Sequence, residues 1–433
     1  MSTGGGTLSR RGDFRLFWSS QTISSLGSSF TTFALPLLVF KLTGSAVGLA
    51  LTTVTGFLPY LVFGLVIGAW VDRLDRRKTM ICADLGRLVL IGTIPAFAWL
   101  GILHLPWVYL AAFLNTTLWI ICTAAESAAI PSLVSKPGLM AANGRLQGSY
   151  AAAQVLGPLL AGALIGNGIP VTAVFLADSV SFGISAAIMA FVRTPFNPER
   201  AARRGSRVLA DVRAGLAYVF ANPVLRGVAL VAALFNLLGA TTWSQLVLFA
   251  HTRLNASDSR ISLLFAGASA GTALLLLAAG RLNRRFSFLS MTLGALVVWS
   301  CLVLVLALST DFWIAAGAWA AAAGLPSLYA VRTLALRQEI VPEYFLARVQ
   351  TVAQVLAWSA QPLGALLGAW AIQVTGHIAI VYAVCASLVL LVALIYWRPL
   401  GRAARRIQTQ GSADLDEQPT VQQTGGTGQP SSG

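Results

Sequence analysis

The chain has 433 residues, 56% of them apolar and only 10% charged, with a mean hydropathy of +0.74. Soluble domains carry roughly 25% charged residues, so no aqueous core could hide this much apolar surface, and the solvent must be lipid. The formal charge of +15 could suggest a nucleic-acid partner, but its distribution among the loops between apolar runs says otherwise.

Arg10, Arg11 and Arg15 come first. The apolar run behind them is too long for a secretory signal, and no small-x-small cleavage site stands out. Residues 1–16 are therefore read as a cytoplasmic N-terminus, and the first run as an uncleaved anchor. A span needs about 20 apolar residues to cross roughly 30 Å of hydrocarbon. Twelve such runs follow, near 17–40, 46–70, 79–101, 107–130, 146–168, 171–192, 224–250, 261–280, 287–309, 311–331, 349–373 and 377–397. They predict an all-α polytopic membrane protein with two six-helix bundles, 17–193 and 224–398. Membrane β-strands are short and alternating, so a barrel is excluded.

A basic linker, 194–223, divides the bundles. Leu209, Val212, Leu216, Val219 and Phe220 recur in it at helical spacing. They predict an amphipathic helix that either lies on the membrane face or packs on the bundle. The tail, 399–433, turns rich in Gly, Gln, Ser, Thr and Pro and is expected to be disordered.

With the N-terminus inside, all but three of the 30 lysines and arginines fall on the cytoplasmic side; the exceptions are Lys41, Arg253 and Arg260. That bias predicts an inner-membrane protein with both termini in the cytoplasm. Cys82, Cys122, Cys301 and Cys385 sit inside apolar runs, and His104, His251 and His377 are scattered. Neither set predicts a disulfide, a metal site or a cofactor.

The halves repeat. Arg73, Leu74, Arg76 and Arg77 after span 2 match Arg281, Leu282, Arg284 and Arg285 after span 8 at constant spacing. Span 5 starts near Arg145 and contains Gly157–Pro158; span 11 starts near Arg348 and contains Gln361–Pro362. A six-plus-six duplication is typical of secondary transporters that bind substrate near the midplane between the halves.

The segment GAWVDRLDRRK, from Gly68 to Lys78, joins spans 2 and 3. Here the sequence resembles the major facilitator superfamily, whose corresponding loop reads G-x-x-x-D-R-x-G-x-R-R; Asp75 stands where that pattern has Gly. The DRxDRR form, the opening FRLFWSSQTISSLGSSF and the segment IPSLVSKPGLMAANGRLQG after span 4 resemble the branch of macrolide and siderophore exporters. The resemblance implies a gating role for Gly68, Asp72, Arg73, Arg76 and Arg77. Physically, the Asp72 carboxylate could meet the positive N-terminal dipole of span 11 and latch the halves together. Within span 5, Gly148, Gly157, Pro158 and Gly162 are similar to the antiporter motif G-x8-G-P-x-x-G-G of drug exporters, with Ala161 in place of one glycine. Pro158 removes a backbone bond and kinks the helix, and the glycines admit a neighbour.

Charges at membrane depth are functional candidates. Asp178, in span 6, has no charged neighbour in sequence and could exchange a proton or serve as a structural hydrogen-bond acceptor. Glu126, in span 4, is a second coupling candidate, and the resemblance implies that it pairs with Arg76 or Arg77. Asp84 and Arg87 share a face of span 3 and are expected to pair locally. Neutral polar residues form stripes that lipid would disfavour: Gln21, Ser24 and Ser28 in span 1, Asn115 in span 4, Asn236 and Trp243 in span 7, Gln361 in span 11. A cavity with such walls, lacking fixed charge, suits amphipathic organic molecules.

The function read from the sequence is secondary active transport: proton-coupled efflux of hydrophobic or amphipathic small molecules, drug-, macrolide- or siderophore-like, by alternating access. Lipid or solute uptake on the same fold is the alternative. An intramembrane enzyme is disfavoured, because no catalytic constellation gathers at membrane depth. The expected partners are a small-molecule substrate, protons and the bilayer, with the monomer as the working unit.

Overall fold

The structure, a computed structural model, describes residues 4–71, 74–196 and 208–416. Among them the chain is helical, with no strand. The first half comprises α1 (Gly4–Thr43), α2 (Ala46–Val71), α3 (Arg76–Trp99), α4 (Leu105–Leu133), α5 (Leu139–Gly166) and α6 (Val171–Phe191). A linking helix, α7 (Val208–Ala221), precedes the second half. That half comprises α8 (Pro223–Ser244), α9 (Leu246–Thr252), α10 (Asp258–Arg285), α11 (Phe288–Leu308), α12 (Phe312–Ala323), α13 (Leu325–Ile340), α14 (Glu343–Thr375) and α15 (Ile378–Asp416). Twelve membrane spans result, α1–α6 followed by α8, α10, α11, the pair α12–α13, α14 and α15.

Short polar side chains set where several helices begin. Asp75 accepts the Lys78 amide at 3.0 Å, and Asn222 and Asp311 likewise receive first-turn amides of α8 and α12. Each cap stabilises its helix by about 1 kcal/mol. At the far end of α14, Gly376 adopts φ 71°, the left-handed turn that glycine makes without strain.

Two spans differ from the continuous runs expected. Span 7 breaks at Gln245 (φ −101°, ψ 9°), whose side chain turns toward the other half and donates to the Ala46 carbonyl at 2.9 Å. Span 10 breaks at Gly324, where Pro326 follows and cannot donate a backbone bond. In addition α15 continues to Asp416, past the point where disorder was expected. The segment after Pro399 holds Ala403, Ala404, Arg405 and Arg406, good helix formers that extend an existing helix without a new nucleation cost. The linking helix packs on the bundle: Val219 is buried against Val349 and Val352 of α14.

The packing repeats between halves. α1 lies on α5 and α6, as α8 lies on α14 and α15; α3 lies on α6, as α11 lies on α15. The halves meet through α5 on α10 and α2 on α14. Among the described residues they share one apolar core at one end. At the end away from the basic loops, one core joins Phe33, Leu37 and Phe175 to Leu246, Phe249 and Ile261. Across the same seam Lys41 Nζ meets Asp258 Oδ2 at 2.5 Å, and the Phe40 and His251 rings lie 5.0 Å apart. Toward the basic end the cores are separate, one around Phe17, Met80 and Met189, the other around Phe288, Leu293 and Leu336.

Candidate functional site

A cavity of about 760 Å³ lies between the halves. The first half contributes Ser28, Thr31 and Thr32 from α1, Tyr60 from α2, Arg87 from α3, and Asn115 and Trp119 from α4. From the second half come Phe235, Asn236 and Trp243 of α8, Trp299 of α11, and Trp358 and Gln361 of α14. Tyr60 bridges the two sides, its ring 5.1 Å from Trp358 and 6.1 Å from Trp119 in edge-to-face geometry. In the second half Gln361 Nε2 donates to Asn236 Oδ1 at 2.6 Å, and Phe235 meets Trp299 edge-on at 5.1 Å. Such a wall offers large apolar area with few fixed polar points, as small-molecule sites do.

Of the polar residues singled out in the sequence, Ser28, Asn115, Asn236, Trp243 and Gln361 lie on this wall. Gln21 and Ser24 do not. Both are buried, Gln21 Nε2 reaching only Ser20 Oγ at 3.4 Å, and the neighbouring Ser20 bonds Ser185 of α6 at 2.8 Å. Their stretch of α1 avoids lipid by packing on a helix.

The cavity does carry a fixed charge, contrary to the sequence expectation. Arg87 Nε donates to Asn115 Oδ1 and Arg87 Nη2 to Ser28 Oγ, both at 3.0 Å, while the guanidinium sits 3.8 Å above the Phe182 ring. Its contact with Asp84 stretches to 3.9 Å, beyond hydrogen-bond range. Behind the wall, Asp178 is fully buried and accepts a bond from Thr31. Helix packing brings it within electrostatic range of Arg87 and Asp84, neighbours invisible in its own sequence surroundings. Asp84 Oδ2 accepts Ser185 Oγ at 2.6 Å. The Oδ1 atoms of Asp84 and Asp178 are both buried without a hydrogen-bond partner. Charged side chains at membrane depth cost about 2.5–3.5 kcal/mol each on insertion scales, so two half-satisfied carboxylates beside one arginine are an expensive arrangement.

Glu126 accepts the Tyr150 hydroxyl of α5. The expected partnership with Arg77 is absent, because Arg77 donates to the Met189 and Ala190 carbonyls at the end of α6. Arg76 bonds the Ala128 and Phe196 carbonyls at 2.9 and 2.8 Å. Arg77 thus ties the start of α3 to the last turn of α6, where C-terminal carbonyls need donors, and Arg76 ties it to α4 and to the segment beyond α6. Gly68 lies near the end of α2, while Asp72 and Arg73 lie outside the described residues.

The span 5 motif divides. A side chain at Gly157 would run into Ser29 of α1, and one at Gly162 into Ser262 of α10, across the seam between halves. Pro158 is buried inside α5. Gly148 faces open space. Among the described residues no group of His, Cys, Asp or Glu could hold a metal.

Arg87, Thr31 and the aromatics Tyr60, Phe235 and Trp299 were not singled out as cavity residues from the sequence. Arg87 offered a signal, its spacing from Asp84, but that spacing also fits a closed local pair. The aromatics offered none, since such residues face lipid equally well.

Comparison with known proteins gives a consistent picture. The family model for transmembrane secretion effectors matches residues 7–425. Macrolide efflux protein A of Streptococcus pyogenes is 26% identical over 359 residues, 82% of this chain and 88% of that protein. The multidrug efflux pump Tap of Mycolicibacterium fortuitum is 26% identical over 231 residues, 52% of this chain and 56% of that protein. Among solved structures, a bacterial homologue of the human lysosomal transporter Spinster, inward-facing and unoccupied, superposes with a TM-score of 0.69 at 15% identity. That match covers 94% of this chain and 99% of the other, and shows a shared fold.

Proposed function

The chain belongs to the transmembrane secretion effector family, as an efflux transporter of the major facilitator type, and we propose that it exports amphipathic, largely apolar organic molecules in exchange for protons. The observation that carries this reading is the division of the cavity: a neutral aromatic wall on one side, and buried carboxylates behind Arg87 on the other. The macrolide class named for one relative and the drug range named for the other fit a cavity of about 760 Å³ with aromatic and amide walls.

In this reading both termini and the basic loops face the cytoplasm, since lysines and arginines accumulate on that side of bacterial inner membranes. The seal of Lys41, Asp258, Phe40 and His251 then closes the outer face, and the separate basic-end cores leave the cavity reachable from within. Transport rocks the two six-helix halves of a monomer about the cavity. The loop from Gly68 to Arg77 gates the inner side, and Asp178 carries the proton, with Glu126 as a second acid.

The test is accumulation of tritiated erythromycin by inside-out vesicles holding the protein. An acidic lumen should drive uptake, and a protonophore should collapse it. Uptake indifferent to the gradient would refute proton exchange; loss of probe from the lumen would refute export.

A further inference from the structure

Arg87 occupies an unusual position for the only cation on the cavity wall among the described residues. Its hydrogen bonds go to neutral acceptors on the substrate side, Ser28 and Asn115, at 3.0 Å each. The carboxylates on its other side receive less than they could take. Asp84 Oδ1 stands 3.9 Å from Arg87 Nη1, and neither this oxygen nor Asp178 Oδ1 has a hydrogen-bond partner. A guanidinium offers five donors in a planar fork. Placed between two sets of acceptors, it is held by one and electrostatically drawn by the other.

We infer that Arg87 is a positioning residue with two stations, and that its move between them couples substrate binding to proton binding. When Asp178 is ionised, the guanidinium is drawn toward the unpartnered Oδ1 atoms and frees Ser28 and Asn115 to bond substrate. When Asp178 takes up a proton, it no longer attracts Arg87, which returns to Ser28 and Asn115 and competes with the substrate for them. Thr31 fits the proton's path, because it lies on the cavity wall and donates to Asp178 Oδ2. Phe182, beneath the guanidinium at 3.8 Å, gives a flat surface over which it can slide.

The neighbouring titratable groups leave this assignment intact. On α4, Cys122 and Glu126 lie within electrostatic range of Asp84, and Glu126 is engaged by Tyr150 of α5. On α1 the groups facing Arg87 and Asp178 are the hydroxyls of Ser28 and Thr31. The one carboxylate of α1, Asp13, lies near the start of that helix and is bound there by Thr194. The substrate implied is an amphipathic molecule with a carbonyl or hydroxyl edge that can use what Arg87 vacates.

This inference rests on the proton-exchange reading above, and one experiment separates the two. Equilibrium binding of tritiated erythromycin to the purified full-length protein is measured between pH 5.5 and 8.5. One coupled proton allows an affinity change of up to about tenfold per pH unit, and wild-type binding should weaken toward that limit as pH falls. Asp178→Asn should bind weakly with a flat profile. Arg87→Gln keeps donors near Ser28 and Asn115 but loses the charge that answers Asp178, so its profile should also be flat. Arg87→Lys keeps the charge without the fork that spans both acceptors, so it should retain the slope and bind more tightly than wild type at low pH. It also serves if the glutamine variant fails to fold. A flat wild-type profile would overturn both readings. A full slope in Arg87→Gln, or a lost slope in Arg87→Lys, beside a flat Asp178→Asn, would overturn the role of Arg87 and leave proton exchange at Asp178 standing.

Discussion

In the first half, α3 and α6 bring Asp84, Arg87 and Asp178 together behind the cavity wall. The second half is built on the same packing plan. Yet at the spacing that carries Arg76 onto Arg284, Asp84 and Arg87 become Thr292 and Ala295. Its wall is neutral: an amide pair, Asn236 and Gln361, set among Phe235, Trp243, Trp299 and Trp358. The contrast teaches that a repeated scaffold can keep its helix contacts while its two copies line the cavity with different chemistry. Buried charge is costly in a membrane; the first half places it at the cavity, whereas Arg332 and Arg337 of α13 in the second half lie off the cavity wall and leave that wall neutral.

That division can be broken most severely at Asp178. Asp178→Asn should cut gradient-driven export of a macrolide probe at least tenfold in proteoliposomes while leaving the folded protein monodisperse. The shared scaffold can be probed through a closely packed glycine in each half. A side chain at Gly157 would strike Ser29 of α1, and one at Gly364 would come within 2.9 Å of Leu237 Cα in α8. Gly157→Ala and Gly364→Ala should each destabilise by about 1–3 kcal/mol, as overpacking does, read as a lowered melting temperature in detergent. Very unequal losses would show that the halves bear packing strain differently.

The neutral half should set affinity without setting coupling. Trp358→Ala removes one face of the contact with Tyr60. Aromatic pairs contribute about 0.5–1.5 kcal/mol, so probe affinity should fall roughly two- to tenfold with the pH profile unchanged. The seal at the end away from the basic loops is worth less. Lys41 is 45% exposed and Asp258 22%, and exposed pairs give about 0.2–1 kcal/mol. Lys41→Ala should shift the balance of open states by no more than about fivefold, measured by spin-label distances across the seam, and exchanging the two charges should restore it. The one effect of opposite sign belongs to Gly148, which faces open space inside α5; Gly148→Ala should raise stability by about 0.5–1 kcal/mol, read as a higher melting temperature in detergent.

Much of this architecture was legible in the chain, for a physical reason. A lipid-spanning helix must satisfy its own backbone and present an apolar surface, so each span is written as a continuous run. The breaks at Gln245 and Gly324 were harder to read, since both lie inside apolar sequence and one is held by a contact with Ala46 far away in the chain. Polar stripes marked faces that avoid lipid, but a stripe cannot say whether a cavity or a helix faces it; Ser28 found the first and Gln21 the second. The charge cluster was legible only in pieces. Asp178 stood out as an isolated acid, while its neighbours on α1 and α3 are set by helix packing that no local pattern records.

The division of labour is tested most directly by uptake of tritiated erythromycin into inside-out vesicles with and without an acidic lumen, comparing wild type, Asp178→Asn and the double variant Asn236→Ala/Gln361→Ala. Wild type should accumulate probe when the lumen is acidic. The double variant should need more probe yet respond to the gradient by the same factor, and Asp178→Asn should lose the response. A gradient response that survives in Asp178→Asn, or vanishes in the double variant, would contradict the assignment of coupling to the first half and substrate recognition to the second.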